Sequence, residues 1–262
     1  MERRDGRLCH VEMECGFLTN NIFIVGIGPG RSDALTGEAR RALEISEEII
    51  GYPVYTRLLK NEFPGKKYIE TGMGSERERC KICFEEAVRG KKIAIVSSGD
   101  AGIYGMASLM YEISGDYPGI ELTVIPGLTA AITGAAVLGA PLSNDFAIIS
   151  LSDILTPWEK IEKRLRAAAK GDFTIVLYNP MSHKRVEHLK RACDILLEYI
   201  NSERVCGWVE NIGREGEKKA YLTLCELREA ELSMFTTVFI GSSETVMKNG
   251  VMLTKRGYDK KE

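Results

Sequence analysis

Short apolar segments recur along the chain, and each ends in small or polar residues. Residues 93–96 form one such segment, and Ser97, Ser98, Gly99 and Asp100 follow it directly. β-Branched residues without helical spacing predict a strand buried on both faces, as in a parallel sheet. Ligands bind at the carboxyl ends of strands in open α/β sheets. The loop after this strand is therefore a candidate binding loop.

Strands and helices alternate over most of the chain, which indicates an α/β fold. Further strands are predicted at residues 22–25, 121–125, 146–151, 173–178, 204–209, 220–224 and 236–240, with weaker elements at 54–59 and 67–70. Helices are predicted at residues 36–50, 75–89, 105–114, 129–139, 157–170 and 185–200. We predict an N-terminal α/β domain at 21–139 and a C-terminal α/β domain at 140–250. Residues 1–20 are expected to form a loose or partner-bound leader, and 251–262 an aperiodic basic tail.

Two helices carry strong start signals. Ser75 and Glu78 have the spacing of a capping box, and Thr156 precedes a proline at the expected first helical position. Cys80 and Cys83 have the C-x-x-C spacing of redox and metal motifs, but they share a helix face with apolar residues. A redox pair would sit at the helix N-terminus and a zinc site needs a second pair, so core packing is the favoured interpretation.

Composition narrows the function classes. The 262 residues are 44% hydrophobic and 27% charged, as in a globular protein, and the net charge of −2 argues against a broad nucleic-acid surface. No apolar segment is long enough to span a membrane. Seven cysteines at irregular spacing without a signal peptide indicate reduced thiols, and we expect a cytoplasmic protein.

Five predicted strand-end loops are rich in small or polar residues: 26–30, 98–105, 126–130, 178–185 and 211–217. The first is glycine-rich, but it lacks the dinucleotide fingerprint, and Pro29 removes a backbone donor. In the second, Asp100 either binds a ligand hydroxyl or amine or closes a local turn.

The chain shows no serine–histidine–acid set, and His10, His183 and His188 suggest no metal cluster. These patterns favour chemistry carried by a reactive cofactor that the protein binds and orients. No protein-bound metal is expected.

Several of these segments resemble the tetrapyrrole methylase family, whose members use S-adenosylmethionine. The resemblance rests on Val25-Gly-Ile-Gly-Pro-Gly30, Ser98-Gly-Asp-Ala-Gly-Ile-Tyr-Gly105, Val124-Ile-Pro-Gly-Leu-Thr-Ala130 and Leu177-Tyr-Asn-Pro180. A second set is similar to the members that methylate C17 of precorrin-3B or of its cobalt counterpart with ring contraction. It comprises residues 138–147, Ser150-Leu-Ser-Asp153, residues 177–185 and Asn211-Ile-Gly-Arg-Glu-Gly216. The resemblance covers about residues 21–242 and implies two α/β domains with the active-site cleft between them.

The resemblance also implies where S-adenosylmethionine binds. Residues expected to contact its amino-acid and ribose parts or to lie beside it are Pro29, Ser98, Gly99, Asp100, Ile103, Tyr104, Thr129 and Ala130. From the second domain, Asn179, the backbone near Gly207 and Thr236 are expected to hold the adenine. Asn179 stands where other members often have methionine.

A tetrapyrrole presents many carboxylates, so basic side chains are expected at the cleft. Lys184, Arg185 and Arg214 are the candidates, with solvated surface charge as the alternative. Asp100, Tyr104 and His183 are candidates for proton movement during ring contraction. The resemblance further implies a homodimer.

Two other functions stay open from the sequence alone. One is a methyltransferase of the same fold that acts on another macrocycle carbon or on ribosomal RNA, although RNA would favour a more basic chain. The other is a non-catalytic nucleotide-binding or partner-binding module. Seven apparently reduced thiols, without an iron–sulfur or oxygen-activating motif, favour a substrate that already contains cobalt.

Overall fold

The computed structural model describes residues 21–182 and 185–258. The expectations for the leader (residues 1–20), for His183 and Lys184 and for the last four residues lie outside these ranges.

The N-terminal part folds into a parallel five-stranded sheet with the order β3-β2-β4-β1-β5. Its strands are β1 (Ile22–Gly26), β2 (Glu48–Gly51), β3 (Lys67–Glu70), β4 (Ile93–Ser97) and β5 (Leu122–Ile125). Its helices are α1 (Gly37–Ile45), α2 (Pro53–Thr56), α3 (Glu76–Val88) and α4 (Ala107–Ser114). This confirms the parallel, buried β4 that the apolar pattern predicted.

Side chains of β1 and β4 alternate between two cores. Ile24 and Ile95 pack with the α3 and α4 side, whereas Val25 and Val96 pack with the α1 side. Successive strand residues point to opposite faces. A strand that is covered on both faces therefore has a continuous run of apolar residues in its sequence.

A second five-stranded sheet has the order β10-β9-β11-β8-β7, in which only β7 and β8 pair in parallel. Its strands are β7 (Phe146–Ser150), β8 (Thr174–Tyr178), β9 (Val205–Glu210), β10 (Lys218–Thr223) and β11 (Thr236–Ile240). Its helices are α6 (Trp158–Lys170), α7 (His188–Leu197) and the short α8 (Leu224–Arg228).

A small third sheet joins β6 (Gly139–Ala140), β12 (Thr245–Lys248) and β13 (Val251–Thr254). The expectation of an aperiodic tail from residue 251 is therefore wrong for β13, which pairs with β6 and β12. Helix α5 (Ala130–Leu138) packs with β9 and β11 in a shared core. The division at residue 139 assigns α5 to the first domain, yet its side chains pack on the second sheet, and the boundary stays a prediction.

The predicted helix over residues 36–50 is wrong after residue 45. The Ser46 hydroxyl donates to the carbonyl of Ala42 at 2.7 Å, and the chain then enters β2. Ile49 and Ile50, on opposite faces of β2, are both fully buried. Tertiary burial on two sides therefore overrides the helical spacing.

The cysteine pair packs as the favoured interpretation predicted, whereas the capping predictions are confirmed only in part. Cys80 and Cys83 are buried beside Phe84, and burial raises the pKa of Cys80 to about 11. Ser75 is the N-cap residue of α3, as predicted, but its side chain makes no capping hydrogen bond, so the capping box is wrong. Helix α6 has Pro157 rather than Thr156 at its N-cap.

Within the described part of the chain, every helix is too short or too polar to cross a bilayer.

Three loops of the first sheet approach one another closely at glycine residues. The amide of Gly28 donates to the Gly99 carbonyl at 3.0 Å, and the Gly99 amide donates back at 2.8 Å. A Cβ atom added at Gly127 would lie 2.1 Å from the Gly99 oxygen and 2.5 Å from the Gly26 oxygen. Only glycine allows this approach.

We expect Gly127→Ala to lower the free energy of unfolding by about 3 kcal/mol, because rigid carbonyl groups crowd the added methyl. Chemical denaturation with a circular dichroism readout measures the change. Gly115→Ala is the matched control, since Gly115 is right-handed helical and a Cβ there meets no atom within 4 Å. Equal stability of the two variants would contradict the prediction.

Candidate functional site

A cavity of about 200 Å³ opens between the two large sheets. Loops after β1, β4 and β5 supply one wall, and residues at the end of β8, around the β9–β10 turn and before β11 supply the other. Ten residues predicted to bind the donor or the substrate line it together: Pro29, Ser98, Gly99, Ile103, Tyr104, Thr129, Ala130, Asn179, Arg214 and Thr236. The strand-end loops therefore meet in one shared cavity.

Arg214 crosses the cavity from the β9–β10 turn to the first sheet. Its Nε donates to the carbonyl of Pro29 at 2.8 Å, and its Nη2 donates to the Ser98 hydroxyl at 2.7 Å. The residues described here give this half-buried guanidinium no carboxylate partner. Burial lowers the pKa of Arg214, but a guanidinium stays charged at neutral pH. The cavity wall thus carries an uncompensated positive charge that suits a carboxylate.

Tyr104 makes a similar crossing from the first sheet to the second. Its hydroxyl donates to the carbonyl of Ile148 and accepts from the amide of Ser150, each at 3.2 Å. Its backbone φ of 54° lies in the left-handed region, which is uncommon for a bulky residue. These bonds fix the ring at the rim of the cavity, 5.7 Å from that of Tyr178.

Tyr178 fixes the start of α5. Its hydroxyl accepts from the amide of Ala131 at 2.7 Å and lies 2.5 Å from the hydroxyl of Thr129. Burial raises the pKa of Tyr178, so its phenol stays protonated at neutral pH. The wall formed by Thr129 and Ala130 is therefore held by a side chain of the second sheet.

Asp100 does not line the cavity. Its Oδ1 accepts from the amides of Gly102 and Ile103 at 2.8 and 3.1 Å, and its Oδ2 accepts from the amide of Gly127 at 2.9 Å. The two Oδ1 bonds close the local turn, which was the second interpretation from the sequence, and the Oδ2 bond joins this turn to the loop after β5. Any contact of Asp100 with a ligand stays a prediction.

Gly207 also lies outside the cavity lining. It is in the middle of β9, where an added Cβ would lie 3.0 Å from the side chain of Leu138. Its lack of a side chain lets α5 approach the sheet, so the structure gives Gly207 a packing role.

Arg185 lies beyond the cavity lining, next to the end of β7. Its Nη1 donates to the Ser152 hydroxyl at 3.3 Å. Asn179, which does line the cavity, donates from Nδ2 to the Ser150 hydroxyl at 2.9 Å. Ser150 and Ser152 thus connect Arg185 to the cavity wall.

Seven lining residues were not predicted as site residues: Tyr55, Tyr178, Asn211, Ile212, Met234, Phe235 and Thr237. Tyr178 and Asn211 stand inside segments already recognised as motifs, so their positions held a usable signal. Tyr55 and Phe235 lie in weakly patterned segments and become site residues only when the sheets meet.

Over residues 21–182 and 185–258, no three His, Cys, Asp or Glu side chains are grouped closely enough to hold a metal ion.

We expect Tyr178→Phe to lower the free energy of unfolding by about 1–3 kcal/mol, because the Ala131 amide loses its acceptor in a buried place. Thermal or chemical denaturation measures this. Tyr55→Phe is the control, since Tyr55 lines the same cavity and no hydrogen bond of its hydroxyl is found among the described residues. A Tyr178→Phe protein as stable as the Tyr55→Phe protein would contradict the prediction.

The chain is similar to known proteins of one family. The family model for tetrapyrrole (corrin/porphyrin) methylases matches residues 21–228. A probable cobalt-factor III C(17)-methyltransferase of Salmonella typhimurium is 45% identical over 236 residues, which cover 90% of this chain and 98% of that protein.

A precorrin-3B C(17)-methyltransferase of a Sinorhizobium species is 36% identical, over 87% of this chain and 91% of that protein. The crystal structure of the methyltransferase CobJ superposes with a TM-score of 0.83 at 33% identity, over 90% of this chain and all of that one. The chain belongs to the tetrapyrrole (corrin/porphyrin) methylase family.

Proposed function

We propose that this protein is an S-adenosylmethionine-dependent C-methyltransferase of cobalamin biosynthesis that methylates C17 of cobalt-factor III or precorrin-3B with ring contraction. The observation that carries the proposal is the shared cavity, in which ten residues predicted from both halves of the chain meet. The likeness to the Salmonella typhimurium protein over nearly its whole length supports it. The higher identity to that relative than to the precorrin-3B enzyme favours the cobalt-containing substrate.

Tetrapyrrole methylases use S-adenosylmethionine, whose sulfonium supplies an electrophilic methyl group without a protein nucleophile. The chain's task is then to bind, align and exclude water. Gly99 has a φ of 69° and lines the cavity with backbone only, which leaves room for a close ligand. Ser98 and Thr129 add hydroxyl groups on the same wall. These residues fit an adenosyl ligand with polar ribose and amino-acid parts.

The remaining cavity residues have proposed roles on the same basis. Pro29, Ile103, Tyr104 and Ala130 would contact the donor from the first sheet. Asn179 and Thr236 would contact its adenine from the second. Asp100 would affect donor binding indirectly, because its carboxylate fixes the backbone of the loop after β4.

Arg214 is the proposed receptor for a carboxylate of the macrocycle, because it is a cation at the cavity without a carboxylate partner among the described residues. Arg185 would serve a second carboxylate from the outer rim. Lys184 and His183, proposed for carboxylate binding and proton movement, lie outside the described residues. Of the other two proton-transfer candidates, Tyr104 lines the cavity and Asp100 does not.

The resemblance to this family also leads us to propose a homodimer that works in the cytoplasm. Analytical ultracentrifugation of the purified chain at several concentrations tests the oligomeric state. A sedimentation coefficient that stays at the monomer value at every concentration would overturn the dimer.

The activity is tested by incubating the protein with methyl-labelled S-adenosylmethionine and cobalt-factor III without oxygen. We expect one labelled methyl group per macrocycle, at C17 by NMR, with a change in the absorption spectrum on ring contraction. Label at another carbon would indicate a methyltransferase of different regiospecificity. Donor binding without turnover, with precorrin-3B inactive as well, would indicate a non-catalytic module.

Arg214→Ala should raise the KM for the tetrapyrrole by roughly tenfold or more, because a charged hydrogen bond to a carboxylate is lost. Initial-rate measurements with each substrate varied in turn give both KM values. Lys163→Ala is the control, since Lys163 is an exposed cation on α6. An unchanged tetrapyrrole KM in Arg214→Ala would contradict the proposed carboxylate contact.

A further inference from the structure

Three tyrosines line the cavity, and one of them has a hydroxyl that the protein does not use. Tyr104 and Tyr178 direct their hydroxyls into hydrogen bonds between the two sheets. The hydroxyl of Tyr55 makes no hydrogen bond to any residue in the ranges 21–182 and 185–258. A phenol of the cavity lining is therefore left for a ligand.

The position of Tyr55 is fixed by packing rather than by its hydroxyl. Helix α2 places it directly after β2, at the carboxyl edge of the first sheet. Its ring lies edge-on to Tyr52 at 5.4 Å and packs on the core of the α1 side. The next residue, Thr56, donates from its hydroxyl to the carboxylate of Glu70 at the end of β3. The ring therefore keeps its place whether or not the hydroxyl has a partner.

The phenol of Tyr55 is a hydrogen-bond donor at neutral pH. Burial raises its pKa above the ordinary value, and the positive charges of Arg214 and Arg79 reverse this only in part. The negative charge of Glu76 adds to the increase. A phenol with a raised pKa keeps its proton at pH 7 and can donate it to a carboxylate.

Two arginines near this wall have no carboxylate partner among the described residues. One is Arg214, which lines the cavity. The other is Arg79, which is 4% exposed and donates to the Thr71 hydroxyl and to the carbonyls of Thr71 and Gly72. Neutral acceptors satisfy the N–H groups but do not cancel the charge. The wall that carries Tyr55 therefore favours an anionic ligand group.

Arg214 and the segment of Tyr55 come together at Gly30. A Cβ atom added at Gly30 would lie 3.0 Å from Cδ1 of Leu58 and 3.1 Å from Nε of Arg214. Leu58 in turn donates from its amide to the carbonyl of Tyr55 at 3.1 Å. Tyr55 and Arg214 thus belong to neighbouring parts of one cavity wall.

We propose that the Tyr55 hydroxyl is a second donor for the ligand carboxylate that Arg214 receives. Bonds to Pro29 and Ser98 use only two of the five N–H groups of Arg214, so the guanidinium can still donate to an anion. The phenol adds one directed bond without a further charge. The inference rests on the proposed function, which supplies two carboxylate ligands: the macrocycle and the amino-acid part of S-adenosylmethionine.

The test uses Tyr55→Phe, which removes only the hydroxyl. Absorption titration gives the Kd of cobalt-factor III, and isothermal titration calorimetry gives the Kd of S-adenosylhomocysteine. One of the two values should rise about tenfold, because a hydrogen bond to a charged group is lost, and the other should stay within about twofold. A rise for cobalt-factor III assigns the carboxylate to the macrocycle, and a rise for S-adenosylhomocysteine assigns it to the methyl donor.

Two further variants show that the effect is local. Tyr111→Phe is the matched control, because Tyr111 is an exposed tyrosine of α4 outside the cavity lining. It should leave both Kd values unchanged. In the Arg214→Ala background, Tyr55→Phe should add less than about threefold, because two donors to one carboxylate are coupled.

Four results would overturn the role of Tyr55: no change in either Kd, a parallel rise of both, an equal rise in Tyr111→Phe, or a full rise in the Arg214→Ala background. Binding needs no turnover, so the proposed function fails separately. A protein whose affinity for cobalt-factor III depends on Tyr55, but which does not methylate it, would keep this contact and lose the proposed activity.

Discussion

The contact of Arg214 with the first sheet is the constraint on which the cavity depends. A half-buried guanidinium loses hydration, and hydrogen bonds to the Pro29 carbonyl and the Ser98 hydroxyl offset part of that loss. Gly30 and Gly213 allow the approach, with φ angles of 120° and 68° and almost no space for a Cβ atom. Together with the bonds of Tyr104 and Tyr178, this docking keeps the loops of the two sheets facing one another across a shared space.

Polar bonds run across the interface in both directions. Tyr104 reaches from the first sheet to the backbone of β7, and Tyr178 reaches from the end of β8 to the start of α5. Each tyrosine combines a large apolar ring with one directed hydroxyl, which suits a partly wet interface. The walls are therefore held before any ligand arrives, as methyl transfer by alignment requires.

Some residues of these loops face the cavity, whereas others only hold the loop backbone in place. Ser98, Gly99 and Thr129 present small groups to the cavity. The carboxylate of Asp100 instead accepts hydrogen bonds from three backbone amides. A charged side chain that organises a glycine loop gives the loop a fixed shape without filling the space that a ligand needs.

Local patterns were reliable where local and tertiary forces agree. The strand β4 and the helix containing Cys80 and Cys83 were predicted because apolar runs and helical spacing directly reflect burial. The local patterns failed at β2, because Ile49 fitted both a helix face and a doubly buried strand. Only the neighbouring strands decide between these two structures. They failed again at β13, whose partner strand β6 lies more than a hundred residues earlier.

The sequence by itself determined the α/β class, the loops that carry small residues, and the family to which they belong. Short segments carry these features, because glycine, proline and apolar periodicity determine the conformation of the residues around them. Only the tertiary structure decided that Asp100 closes a turn, that Gly207 makes room for a helix and that Tyr55 and Phe235 line the cavity. Such roles depend on which distant backbone comes within a few ångströms, and no local pattern encodes that distance.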